Sequence, residues 1–137
     1  MDHRELYRMA EEARANAYAP FSGFRVGAAL LTEEGRVYTG VNVENSSYGA
    51  TICAERTAFV KAVSEGERAF SAIAISAGET ESLPCGICRQ FMYEFAPDIT
   101  IITGPLTAAE DGGLHVRSLS ELLPEGFSLA PDPNRTR

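Results

Sequence analysis

Three cysteines and one carboxylate are the residues of this 137-residue chain whose types and spacing bear chemistry: Cys53, Cys85, Cys88 and Glu55. An odd number of thiols excludes a closed disulfide framework within one chain. Cys85 and Cys88 form a C-x-x-C pair, which alone is weak evidence for anything. Zinc binds thiolates, and structural zinc sites are usually closed by four protein ligands, whereas catalytic sites keep three and leave one position for water. Here there is no second C-x-x-C, and the only histidines, His3 and His115, lack ligand-like local spacing. Three thiols with an open fourth position therefore read as a catalytic zinc site. A reactive or structural cysteine cluster is the plainer alternative. A redox pair would account for Cys85 and Cys88 but leave Cys53 and its neighbours unexplained.

Those neighbours read Cys53-Ala54-Glu55-Arg56. Residues two apart do not share a helix face, so Glu55 is not an obvious co-ligand. At the mouth of the site, however, its carboxylate could take a proton from water and deliver it to a substrate. The alternative for a glutamate in a first helical turn is simple complementarity to the helix dipole. Three thiolates also leave a zinc site with excess negative charge, which helix N-termini and a nearby cation would offset. Arg56 is the candidate by position and Arg89 a weaker one, with a solvated surface charge as the alternative for both.

The elements that must position these groups can be read coarsely. Leu6, Met9, Ala10, Ala13 and Ala17 recur at helical spacing, predicting a helix over 2–17 with Asp2 as N-cap. Residues 18–23 break it. Residues 26–31 and 36–41 form β-compatible runs around Glu33-Glu34-Gly35, predicting a hairpin whose first strand is buried on both faces. Residues 42–49 read as a loop and 51–64 as a helix. A strand at 72–75, a loop at 78–84, a helix at 86–95 and a strand at 99–103 follow. A last strand at 115–119 and a short helix at 120–123 complete the pattern. Cys53 thus lies near one predicted helix start and Cys85–Cys88 straddle another, where free amide N–H groups stabilise thiolates. Mixed helices and strands in one domain imply an α/β layered sandwich, with helices on both faces of a mixed sheet. The pattern does not yield the strand order.

Size and charge bound the function. The length suits a single domain over 1–130, followed by a polar tail over 131–137 that is expected to be poorly ordered. Twelve basic and nineteen acidic residues give a net charge of −7, which argues against a nucleic-acid partner. No apolar run approaches the ~20 residues of a membrane span, so no membrane partner is expected. The N-terminus does not read as a signal peptide, and a cytoplasmic location is the expectation.

The segments YAPFSGFRVGAALL, GVNVENSSYG, TICAERTAFVKAVSEG, PCGICRQF and ELLPEGF occur together and in this order. In that combination the chain resembles the zinc-dependent cytidine deaminases, specifically the short-chain homotetrameric type. Their motif H-x-E…P-C-x-x-C is a known signature, here with cysteine at the first ligand position. The resemblance implies a three-layer α-β-α sandwich around a mixed five-stranded sheet, and Zn²⁺ as the cofactor. It implies hydrolytic deamination of cytidine and 2′-deoxycytidine to uridine and 2′-deoxyuridine in pyrimidine salvage. A zinc-bound hydroxide would attack C4 while Glu55 shuttles protons. Cys53, Cys85 and Cys88 match the zinc ligands, and Arg56 matches the residue that tempers the thiolates. Asn42 and Glu44 match the pair on the ribose 3′-hydroxyl, Phe24 an aromatic beside the pyrimidine, and Ala54 a backbone contact to the base. Tyr48 and Phe127 match residues supplied to a neighbouring subunit's site.

Plainer readings stand beside these. Phe24 and Phe127 could fill core, Asn42 and Glu44 could be loop polars, and Tyr48 a lone surface aromatic. Ile87 and Leu83 depart from the family's common alanine and serine, which bears on the packing of the cysteine loop and removes no ligand. An aminonucleoside-antibiotic deaminase is a neighbouring enzymatic reading, disfavoured by Glu44. A zinc-stabilised interaction module would give Glu55 nothing to do.

Overall fold

The computed structural model describes residues 1–105 and 113–129, so the expected tail over 131–137 lies outside the described residues. The first helix, α1 (His3–Ala13), starts where the sequence predicts: Glu5 N–H donates to Asp2 Oδ1 at 2.7 Å. It ends four residues early, because Arg14–Asn16 tighten into a 3₁₀ turn. Strands β1 (Gly27–Thr32) and β2 (Val37–Val41) form the expected antiparallel hairpin. Helix α2 (Ala54–Ser64) begins three residues later than the periodicity suggests. Ile52 is held extended by pairing with Val43, which leaves Cys53 as N-cap. Then come β3 (Phe70–Ser76), α3 (Gly86–Phe95), β4 (Thr100–Thr103), β5 (His115–Ser118) and the short α4 (Leu119–Leu122).

The five strands form one mixed sheet in the order β2-β1-β3-β4-β5, antiparallel except for β3 beside β4. Alternation along the strands divides the core into two layers. Ala28 and Leu30 of β1, Ile73 and Ile75 of β3, and Ile101 of β4 face α2 and α3. Ala29, Ala72, Ala74 and Ile102 point the other way, against Leu6, Tyr7 and Ala10 of α1. The result is the three-layer α-β-α sandwich.

On the α2/α3 side, Phe59, Phe70, Phe91 and Phe95 interlock with ring centroids 4.9 to 6.4 Å apart. Tilted and edge-on aromatic packing of this kind is favourable beyond its area. It locks α2 and α3 over the same face of the sheet. Gly40 of β2 sets how close α2 comes: a Cβ there would lie 2.4 Å from Ala58 N and 2.5 Å from Ala54 O. Both atoms are backbone, so the first turns of α2 rest directly on the sheet. The sheet and the aromatic cluster together decide where the N-termini of α2 and α3 meet.

Candidate active site

All three cysteines converge at those two helix ends. Cys53 is the N-cap of α2 and Cys85 the N-cap of α3, and neither side chain caps its own helix. Cys88 lies in the first turn of α3 and is fully buried. The three sulfurs lie within 4.8 Å of one another. Cys53 Sγ and Cys85 Sγ are 3.9 Å apart, much longer than the roughly 2.05 Å of a disulfide. Sulfurs at a Zn–S distance of about 2.3 Å in a tetrahedron stand about 3.8 Å apart, so the donor set fits a zinc ion. No further His, Cys, Asp or Glu joins this group among the described residues.

The electrostatics are those of a thiolate site. Cys88 donates toward Cys53, and Arg56 adds its charge, so the Cys53 thiol falls to about 5. The neighbouring Cys53 and burial push Cys88 the opposite way. The two sulfurs titrate as a unit, the first proton leaving easily and the second resisted by the charge just formed. Arg56 Nη2 donates to Cys53 Sγ at 3.6 Å, while its Nε is buried without a partner among the described residues. Arg56 therefore turns its guanidinium toward the sulfurs. Arg89 acts elsewhere, its Nε donating to Pro84 O at 2.7 Å and its Nη1 to Leu122 O at 2.8 Å. It clamps the loop before Cys85 to the end of α4, a role between the two readings the sequence left open.

Glu55 is only 4% exposed, in the first turn of α2. Burial pushes its carboxyl up to about 7. A helix-dipole partner at the surface would be solvated; this carboxyl instead lines a cavity of about 180 Å³ with Cys53, Cys85 and Ala54. Phe24, Asn42 and Glu44 line the same cavity. Phe24 is 44% exposed, so it walls the opening and does not fill core.

Asn42 and Glu44 also hold the wall in shape. Asn42 Oδ1 accepts from Val26 N at 2.9 Å and its Nδ2 donates to Phe24 O at 2.8 Å. Glu44 Oε1 accepts from Phe21 N at 2.9 Å and Ser22 N at 3.1 Å, and Oε2 accepts from the Ser22 hydroxyl. The Ser22 hydroxyl, with those two amides, keeps the Glu44 carboxyl below the usual carboxylate range.

Tyr48 and Phe127 stand apart from the cavity, 82% and 63% exposed. Sequence reasoning missed Val26, Thr51, Ile52 and Ser82 as lining residues. Thr51-Ile52 and Ser82 sit beside Cys53 and Pro84-Cys85 in the chain, and that adjacency was the available signal. Leu83, noted as a departure, lines the cavity too.

Residues 1–103 match the family model described as the cytidine and deoxycytidylate deaminase zinc-binding region. The chain is 48% identical over 136 residues to a cytidine deaminase of Halalkalibacterium halodurans, covering 98% of this chain and 99% of that protein. It is 47% identical to a probable cytidine deaminase of Dictyostelium discoideum, with 93% and 87% covered. Among solved structures, a cytidine deaminase from Burkholderia pseudomallei superposes with a TM-score of 0.83 at 44% identity, covering 93% of this chain and all of the other. One from Mycobacterium tuberculosis gives 0.80 at 39% identity, covering 94% and 99%.

Proposed function

Because this chain belongs to the zinc-dependent cytidine deaminases, we propose that it hydrolyses cytidine and 2′-deoxycytidine to uridine and 2′-deoxyuridine with release of ammonia, as a step of pyrimidine salvage. The observation that carries this reading is the buried Glu55 carboxyl, sharing one cavity with thiols gathered from two helix N-termini.

Cys53, Cys85 and Cys88 would hold the metal. When bound there, zinc supplies a Lewis acid that makes water acidic near neutrality. Glu55 accepts a proton from the water that attacks C4 and delivers it to N3. It then passes the second proton of that water to the exocyclic amine, and the C4–N bond breaks as the C4 carbonyl forms. A carboxyl whose burial raises its affinity for protons suits both halves of this shuttle. Arg56 and the two helix ends draw charge from the sulfurs, so that three thiolates do not silence the metal.

Phe24 stacks beside the pyrimidine, and the backbone of Ala54 meets the base. Asn42 keeps one amide hydrogen, and Glu44 keeps open lone pairs, for the ribose 3′-hydroxyl. A cavity of about 180 Å³ falls short of the ~300 Å³ at the low end of ligand sites. The exposed rings of Tyr48 and Phe127 support completion of each cavity by a neighbouring subunit, in a homotetramer. A cytoplasmic location fits the same chemistry, because free thiols stay reduced there and able to hold a metal.

The test is loss of cytidine absorbance on adding purified protein, together with its zinc content. Glu55→Gln is expected to keep zinc and lose turnover by about 10²–10⁴-fold. Turnover at the parent rate would remove Glu55 from its role. A monomer fully active at nanomolar concentration would overturn the shared site.

A further inference from the structure

Part of the cavity wall is a loop, residues 77–85, that runs from β3 to Cys85 at the start of α3. Ser82, Leu83 and Cys85 from this loop line the cavity. Ala77 bridges to Thr80, but residues 81–84 make no backbone–backbone hydrogen bond with other described residues. Side chains hold the segment instead. At its far end, Arg89 grips Pro84 O. At its near end, Glu81 reaches across to the sheet: its Oε2 accepts from Thr103 Oγ1 at 2.7 Å and from His115 Nδ1, and lies 3.5 Å from Arg117 Nη1. Arg117 Nη1 also donates to Thr103 Oγ1 at 3.2 Å, closing the network.

One carboxylate oxygen thus ties the residue before Ser82 to the ends of β4 and β5. Resting on the deaminase reading above, we propose that Glu81 is a positioning residue, whose tether to Thr103, His115 and Arg117 fixes the Ser82–Leu83 wall against the substrate.

Positioning and stability separate here on physical grounds. The Glu81, His115 and Arg117 side chains are all partly exposed, and ion pairs in such settings add little to global stability. Convergent charge-assisted hydrogen bonds nevertheless define a geometry well. A segment without ladder hydrogen bonds opens locally at little cost once its side-chain tether is cut. Cys85 would stay in place, because its carbonyl accepts from Arg89 N in the first turn of α3 and the preceding Pro84 carbonyl is held by the Arg89 side chain. Cutting the tether should therefore loosen substrate binding and leave the chemistry intact.

The zinc-loaded protein is compared with Glu81→Ala and Glu81→Gln. Steady-state kinetics on cytidine, zinc content, melting temperature and amide hydrogen exchange over residues 79–84 are measured. In Glu81→Ala, KM is expected to rise roughly threefold to tenfold with kcat within about twofold. Exchange over 79–84 should accelerate roughly tenfold or more, with zinc content and melting temperature unchanged. Glu81→Gln keeps the acceptor for the Thr103 hydroxyl and should recover part of both effects. Unchanged KM and exchange in Glu81→Ala would overturn the proposal. So would a drop in melting temperature or in kcat with KM unmoved. If the parent protein fails to deaminate cytidine, the functional reading fails, while the exchange data still decide the tether.

Discussion

Gly40→Ala tests the claim that the sheet surface positions the catalytic helix. The new methyl would sit 2.4 Å from Ala58 N and 2.5 Å from Ala54 O, where ordinary contact begins at 3.4 Å. Neither neighbour is a side-chain tip that can swing away, so α2 must move by about 1 Å relative to β2. Its N-terminus carries Cys53 and Glu55, whose geometry must be held closely for proton transfer. A misplacement of about 1 Å can cost roughly 10²-fold in rate, equivalent to about 2.7 kcal/mol of transition-state stabilisation. Overpacking should also lower stability by about 1–3 kcal/mol. The assay is kcat/KM for cytidine, alongside a urea melt and zinc content. Gly49→Ala is the control, because its Cβ would meet nothing within 4 Å. If Gly40→Ala keeps parent activity and stability, the close approach of α2 does not set the site and the reasoning fails.

Phe59 is fully buried among Phe70, Phe91 and Phe95, so Phe59→Ala should cost about 3–5 kcal/mol in a urea melt. Stripping metal with a chelator should expose the thiols to an aromatic disulfide reagent. The accessible Cys53 and Cys85 should react before the buried Cys88, with protection restored by added zinc; equal reactivity with and without metal would contradict the three-sulfur site. Hydrogen bonding to Arg36 holds the Glu67 carboxyl below its usual range. That contribution is present above the ordinary carboxylate pKa and is lost as pH falls through the lowered value. Glu67→Gln should therefore lower the melting temperature most near neutrality, with the difference from the parent protein vanishing in acid.

The chemistry-bearing residues were legible because their signals are local. Cys53, Glu55 and Arg56 are neighbours in sequence, and C-x-x-C sits at a helix start that periodicity alone predicts. The β-compatible runs on either side of Glu33-Glu34-Gly35 similarly revealed the β1–β2 hairpin, because turn residues and both strands lie within one short segment. The errors fell at element ends, where local spacing is the weakest guide. Tertiary pairing of Val43 with Ile52 overrode helical spacing before Cys53, and past Ala13 the chain tightened into the 3₁₀ turn Arg14–Asn16 where the spacing had implied more α-helix.

By itself, then, the sequence determined the kind of site: three thiols, a carboxylate beside them, and two helix N-termini to support both. Tertiary structure alone decided what each group does there. The strand order brings β3 beside β1 and β4, so that the ends of α2 and α3 meet and separate cysteines become one donor set. Burial of Glu55, the turn of Arg56 toward sulfur and the double duty of Asn42 and Glu44 all depend on how the folded elements pack around them. The same holds for Glu81, which no local motif singles out, because its partners Thr103, His115 and Arg117 come from strands folded against its loop. Spacing along a chain reports which groups are available, whereas desolvation and hydrogen-bond partners arise only when the layers close around them.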